Sequence, residues 1–169
     1  MRFLLFVIVA FSLYSLSVSA QDNADLEKLY ELDQAARQEQ PINWEELYAE
    51  DLRASGIKTA RDYFHAAMIF QHGDSPDDIR LAHSFATIAA SLEPDLPNAN
   101  WLKAATWDRL LLNFDQPQWY GTQFVRDSEG KLTLYTMEPN VISDEQRAAW
   151  SVPTVAESLE RLEQRYDSN

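Results

Sequence analysis

The 169-residue chain is 46% hydrophobic and 12% aromatic, sets 27 acidic residues against 14 basic ones, and contains no cysteine. That apolar content is enough for one hydrophobic core and excludes wholesale disorder; the missing thiols exclude disulfides, thiolate metal sites and a cysteine nucleophile. A formal charge of -13 argues against a nucleic-acid partner, because phosphate binding needs a basic footprint.

Residues 1–20 place Arg2 ahead of an apolar run from Phe3 to about Leu16, then Val18 and Ala20 before a cut. A positive start, an apolar centre of about 7–15 residues and a small-residue exit describe a secretory signal peptide. A spanning helix wants about 20 apolar residues, and Ser15, Ser17 and Ser19 dilute the end of this run. Cleavage after Ala20 removes one Arg and leaves 13 basic against 27 acidic residues, or -14, in a mature chain that begins at Gln21. The expected destination is the periplasm or the exterior, with no membrane segment left after cleavage.

Residues 21–169 read as one mainly helical domain. A first helix is predicted over about 24–38, with Leu26, Leu29, Tyr30, Asp33 and Arg37 on one face and Pro41 as its stop. Asn43 and Glu46 form a capping pair for a second helix whose apolar side holds Leu47, Leu52 and Ile57. Thr59 caps a third, with Asp62 at its third position, running to Gly73. Ser75-Pro76-Asp77-Asp78 opens a fourth, with Ile79, Ala82, Phe85, Ala86, Ala89 and Leu92 as its buried stripe. Asn98 is expected to cap a fifth helix to about Phe114. Its apolar residues lie nearly all round, which makes it the central helix.

Beyond Pro117 the period changes. Residues 122–126 and 131–135 alternate as strands about the turn Asp127-Ser128-Glu129-Gly130, giving a hairpin over about 122–136. Ser143 with Gln146, and Thr154 with Glu157, open two terminal helices. The predicted fold class is therefore mainly α. It is an antiparallel helical bundle, or stacked helix pairs of the tetratricopeptide or Sel1 kind, with a small C-terminal hairpin. No clean 34-residue period recurs.

A few polar residues fit a bland bundle poorly. Asp108 falls in phase with Trp101, Ala104, Ala105 and Leu111 on the core-facing stripe, and Arg109 follows it. Burying a charge alone costs several kcal/mol, so both need partners, in a structural ion pair or in a polar pocket. His72 ends the third helix in Gln71-His72-Gly73, where the helix dipole favours an imidazolium cap; general acid–base work is the other use for such a histidine. His65, seven residues earlier and about 10 Å away, does not make a metal pair with it. His83 flanks the stripe of the fourth helix. Gln118, Tyr120, Thr122 and Gln123 crowd the joint after Pro117, either tying helix ends together or facing a ligand.

The string Asp33-Gln34-x-x-Arg37, the stretch from Tyr63 to Asp74 with its QHGD, the pair Asp108-Arg109 and the stretch from Pro117 to Phe124 with its YGTQ resemble an uncharacterised bacterial family. The resemblance spans roughly residues 33–159. It implies no established reaction. It implies that Gln71, His72, Asp108, Arg109, Gln118, Tyr120 and Gln123 belong to one shared polar constellation.

Two functions follow as expectations. The first is a structural or protein-interaction module whose polar cluster locks helix ends. The second is a ligand-binding protein or a hydrolase of a cell-envelope component. In it, Asp108 orients His72 as general base, while Gln71, Arg109, Gln118, Tyr120 and Gln123 bind substrate. No nucleophile motif is present, so water has to attack. No cofactor and no metal is expected; the partner is an unspecified protein or a small polar ligand, and no feature sets an oligomeric state.

Overall fold

A computed structural model describes residues 20–39 and 56–167. Its elements are α1 (Ala24–Glu39), α2 (Ala60–Phe70), α3 (Pro76–Leu92), α4 (Ala99–Asn113), β1 (Phe124–Arg126), β2 (Leu132–Leu134), α5 (Asp144–Ala149) and α6 (Val155–Asp167). The described residues are thus mainly helical, with one small antiparallel sheet among them. The helix expected from Asn43 lies outside the described residues, apart from Ile57 near its end.

Side-chain caps set where most helices begin. Thr59 and Asp62 exchange side-chain and backbone hydrogen bonds at the start of α2, as do Ser75 and Asp78 at α3 and Ser143 and Gln146 at α5. Each reciprocal pair satisfies two N–H groups that the first helical turn leaves without partners. Thr154 and Glu157 do the same ahead of α6. Asn98 differs from expectation: it precedes α4 with a left-handed φ of 64° and makes no side-chain cap. In that conformation it turns the chain sharply between α3 and α4, a role asparagine fills at low steric cost.

Alanines bring the central helices close. Ala60 at the start of α2 packs with Ala89 and Ala90 at the end of α3 and with Ala99 at the start of α4. Ala67, Ala86 and Leu102 make the next layer. Neighbouring helices therefore run antiparallel, and α2 and α4 point the same way. Leu26 and Leu29 of α1 join Ala66 and Ile69. Since Asn23 meets Asp62 while Asp33 meets His72, α1 runs alongside α2 in the same direction. Burying a leucine such as Leu102 stabilises the fold by about 2–3 kcal/mol. Leu92, expected in the buried stripe of α3, is 58% exposed; Ala90 is buried instead, because α3 ends where the chain turns away.

The hairpin pairs Phe124 with Leu134, Val125 with Thr133 and Arg126 with Leu132. Gly130, with φ of 80°, sits in its turn, and the Asp127 carboxylate accepts from the N–H groups of Glu129 and Lys131. The second wall of the core holds Ala104, Tyr120 and Val152 with partly buried tryptophans around them. Among the described residues no helix is long and apolar enough to cross a membrane.

Candidate functional site

The core-facing phase of Asp108 on α4 buries its carboxylate completely. It accepts hydrogen bonds from the N–H groups of Trp119 (2.8 Å), Tyr120 (3.0 Å) and Thr122 (3.0 Å), and from the Thr122 hydroxyl (2.8 Å). The joint after Pro117 is thereby wrapped around one anion. Arg147 of α5, itself buried, grips the other side of the same peptides. Its Nε donates to the Tyr120 carbonyl at 3.0 Å and its Nη2 to the Trp119 carbonyl at 3.3 Å. Carboxylate on the N–H side and guanidinium on the C=O side polarise the intervening peptides in the same sense. The two buried charges thus act on each other through the 119–120 peptide, while Arg147 also pairs directly with Asp144 at 3.0 Å. Tyr120 stacks on Trp150 with centroids 4.8 Å apart, and burial together with the Asp108 charge pushes its phenol pKa up.

Gln118 is also fully buried, and its side chain behaves like a strand residue. Oε1 accepts from the Gln123 N–H at 2.8 Å, while Nε2 donates to the carbonyls of Gln123 (3.0 Å) and Tyr135 (2.8 Å). Its backbone pairs with Thr136 and Glu138, forming a parallel bridge with Met137. Gln123 reaches the other way: its Nε2 donates to the Ala105 carbonyl on α4 and to the Thr122 hydroxyl, both at 3.1 Å. Gly121, φ 84°, supplies the left-handed turn between them, with Met137 close against it. The two glutamines stitch α4, the joint and the hairpin together.

A second polar group lies between α1 and α2. Asp33 is fully buried, and the His72 Nδ1 lies 3.0 and 3.2 Å from its two oxygens. A carboxylate can only accept, so Nδ1 carries the proton. Gln34 donates to Asp33 at 2.7 Å, and the Gln71 amide donates to the Met68 sulfur at 3.2 Å and faces the His72 Nε2 at 3.4 Å. His65 stacks on Tyr30, centroids 4.4 Å apart, and burial lowers its pKa. His83 donates from Nδ1 to the Lys103 carbonyl at 3.2 Å, and burial lowers its pKa likewise.

The sequence residues therefore divide. Asp108, Gln118, Tyr120 and Gln123 do meet, at the joint. His72 and Gln71 join Asp33 instead, and all the hydrogen bonds of Asp108 go to residues 119–122, so Asp108 does not orient His72. The geometric reason is that α1 lies along α2 and offers a buried carboxylate at its end. Arg109 is half-buried on α4. Sequence reasoning missed the roles of Asp33 and Arg147. Asp33 carried a signal, an acid on the apolar face of its helix; Arg147, three residues after Asp144 in a polar segment, looks like any surface ion pair. Among the described residues no cluster of three or more His, Asp or Glu side chains has the arrangement of a metal site. Comparison with protein families, curated proteins and solved structures returns no match.

Proposed function

We propose that this chain is an exported, non-catalytic helical module that presents a rigid surface to other molecules, its motif residues Asp108, Gln118, Tyr120 and Gln123 serving to lock the α4–hairpin joint. One observation carries this reading. The hydrogen-bonding atoms of the Asp108 carboxylate and of the Gln118 amide are engaged by the chain's own backbone, and both side chains are sealed from solvent. Polar groups held in that way specify an architecture, and a ligand would have to break several charge-assisted bonds to reach them. The α2–α3–α4 stack is in this reading a tetratricopeptide-like unit, and the resemblance to the uncharacterised family reflects a shared lock. Residues 1–20 act as the export signal, so the exported protein has Gln21 at its N-terminus, which intact-mass measurement checks.

Thermal unfolding of Asp108→Asn and Gln118→Ala tests the lock. Each is expected to lose about 2–4 kcal/mol, because buried N–H and C=O groups lose their partners. Variants that melt like the parent would remove the basis for the proposal.

A second reading, a water-using hydrolase or ligand site at the α1–α2 end, draws support from the Asp33–His72 pair. A carboxylate on Nδ1 leaves Nε2 as the basic nitrogen. In this form Asp33 takes the part first expected of Asp108. Release of soluble fragments from isolated cell envelopes, abolished by His72→Gln with the melting temperature unchanged, would establish it; equal release by both proteins would end it.

A further inference from the structure

Two concavities of about 400 and 410 Å³ adjoin between α6, the hairpin and Trp101 of α4, and they share Trp101, Pro153 and Arg161. The first is walled by Phe124 and Leu132 of the hairpin and by Val152 and Leu162. The second is lined by Tyr30 and Gln34 of α1, Phe64 of α2 and Asn98. Although the chain has 27 acidic residues against 14 basic ones, no carboxylate lines either concavity among the described residues. Among the described lining residues the one ionic side chain is Arg161, at the junction. Its side chain is exposed, and Glu157, one turn earlier, senses its charge. An apolar wall beside Trp101 and a single cation among the described lining residues select for one charge type and one shape. A cation is repelled by Arg161, a dianion has no second cation among the described lining residues for its other charge, and a neutral apolar body leaves Arg161 unused.

We propose that this groove binds a monocarboxylate with an apolar body, its carboxylate on Arg161 and its hydrocarbon part between the hairpin and α6 over Trp101. Asp108 and Gln118 do not line the groove, but Gly121 and Thr122 of the joint they hold form part of its first wall, so the groove adjoins the lock. Bidentate pairing with a guanidinium gives the carboxylate orientation as well as attraction. The acidic remainder of the surface repels competing anions that lack an apolar part to hold them.

Isothermal titration of the mature protein with decanoate, decanol and decyltrimethylammonium provides the test. Decanoate is expected to bind with one-to-one stoichiometry and about tenfold more tightly than decanol, with the ammonium weakest. Arg161→Gln is expected to bring decanoate down to the decanol level, while Arg80→Gln, which makes the same change of net charge on α3, leaves binding as it was. Absence of saturable decanoate binding, or equal affinity in the parent and Arg161→Gln, overturns the proposal.

Discussion

The 119–120 peptide is held by an anion at its N–H and a cation at its C=O, so Asp108 and Arg147 act on each other through the backbone they share. Removing either one frees the loop that gives the other its geometry. In a cycle of Asp108→Asn, Arg147→Met and the double variant, the two losses are therefore expected to be non-additive by about 1–2 kcal/mol in urea unfolding. Additivity within about 0.5 kcal/mol would mean that the two charges hold separate structures. His83 raises a different residue-scale question. Burial holds its folded pKa below the ordinary value of 6.5, so its contribution is fully present above that value and is lost as pH falls from 6.5 toward the folded pKa. His65 behaves in the same sense. His83→Asn keeps an N–H donor for the Lys103 carbonyl and never ionises. Between about pH 7.5 and about pH 5.5 its melting temperature is expected to drop less than that of the parent. An identical drop would show that His83 does not contribute to the slope.

Elements were legible where the signal is local. Thr59, Ser75, Ser143 and Thr154 announce helix starts because a cap and its reciprocal partner sit three residues apart in the sequence. Asn98 misled because the same residue type also suits a left-handed turn, and only the packing of α4 against α3 decides which is used. Gly73 shows the limit from another side. A Cβ there would lie 2.5 Å from the Cβ of Asp78, the residue that closes the α3 capping box. The glycine is needed for close approach of the α2–α3 turn to the next helix, with no positive φ involved. Gly73→Ala is expected to displace Asp78 and to cost the cap, about 1–2 kcal/mol, together with some strain in the turn. Asp78→Ala alone costs the cap but leaves the turn unstrained, so a smaller loss in Gly73→Ala than in Asp78→Ala would contradict this account.

At the scale of the whole molecule, capping pairs and apolar spacing foretold a mainly helical chain, and phase along α4 picked out Asp108 as a buried acid. What it left open was the partner, because that choice depends on which helix lies alongside. Asp33 reaches His72 only since α1 runs parallel to α2, a relation between residues 39 positions apart. Arg147 meets the Tyr120 carbonyl across 27 positions, and nothing in its neighbourhood marks it. Charge, by contrast, is fully readable from the sequence and has a global consequence. Acidic residues exceed basic ones by 13, while the exposed ion pairs Arg61–Asp22 and Arg80–Asp77 each link one acid to one base and leave that excess unanswered. Such pairs are worth under about 1 kcal/mol each, so self-repulsion among the remaining carboxylates outweighs them. Raising NaCl from about 20 to about 200 mM shortens the screening length from roughly 20 to 7 Å. That weakens repulsion between carboxylates spread over the surface more than it weakens contacts at hydrogen-bond distance. The melting temperature at neutral pH is therefore expected to rise by a few degrees across this range. A fall would mean that the paired charges, and not the unpaired excess, dominate the electrostatics of the fold.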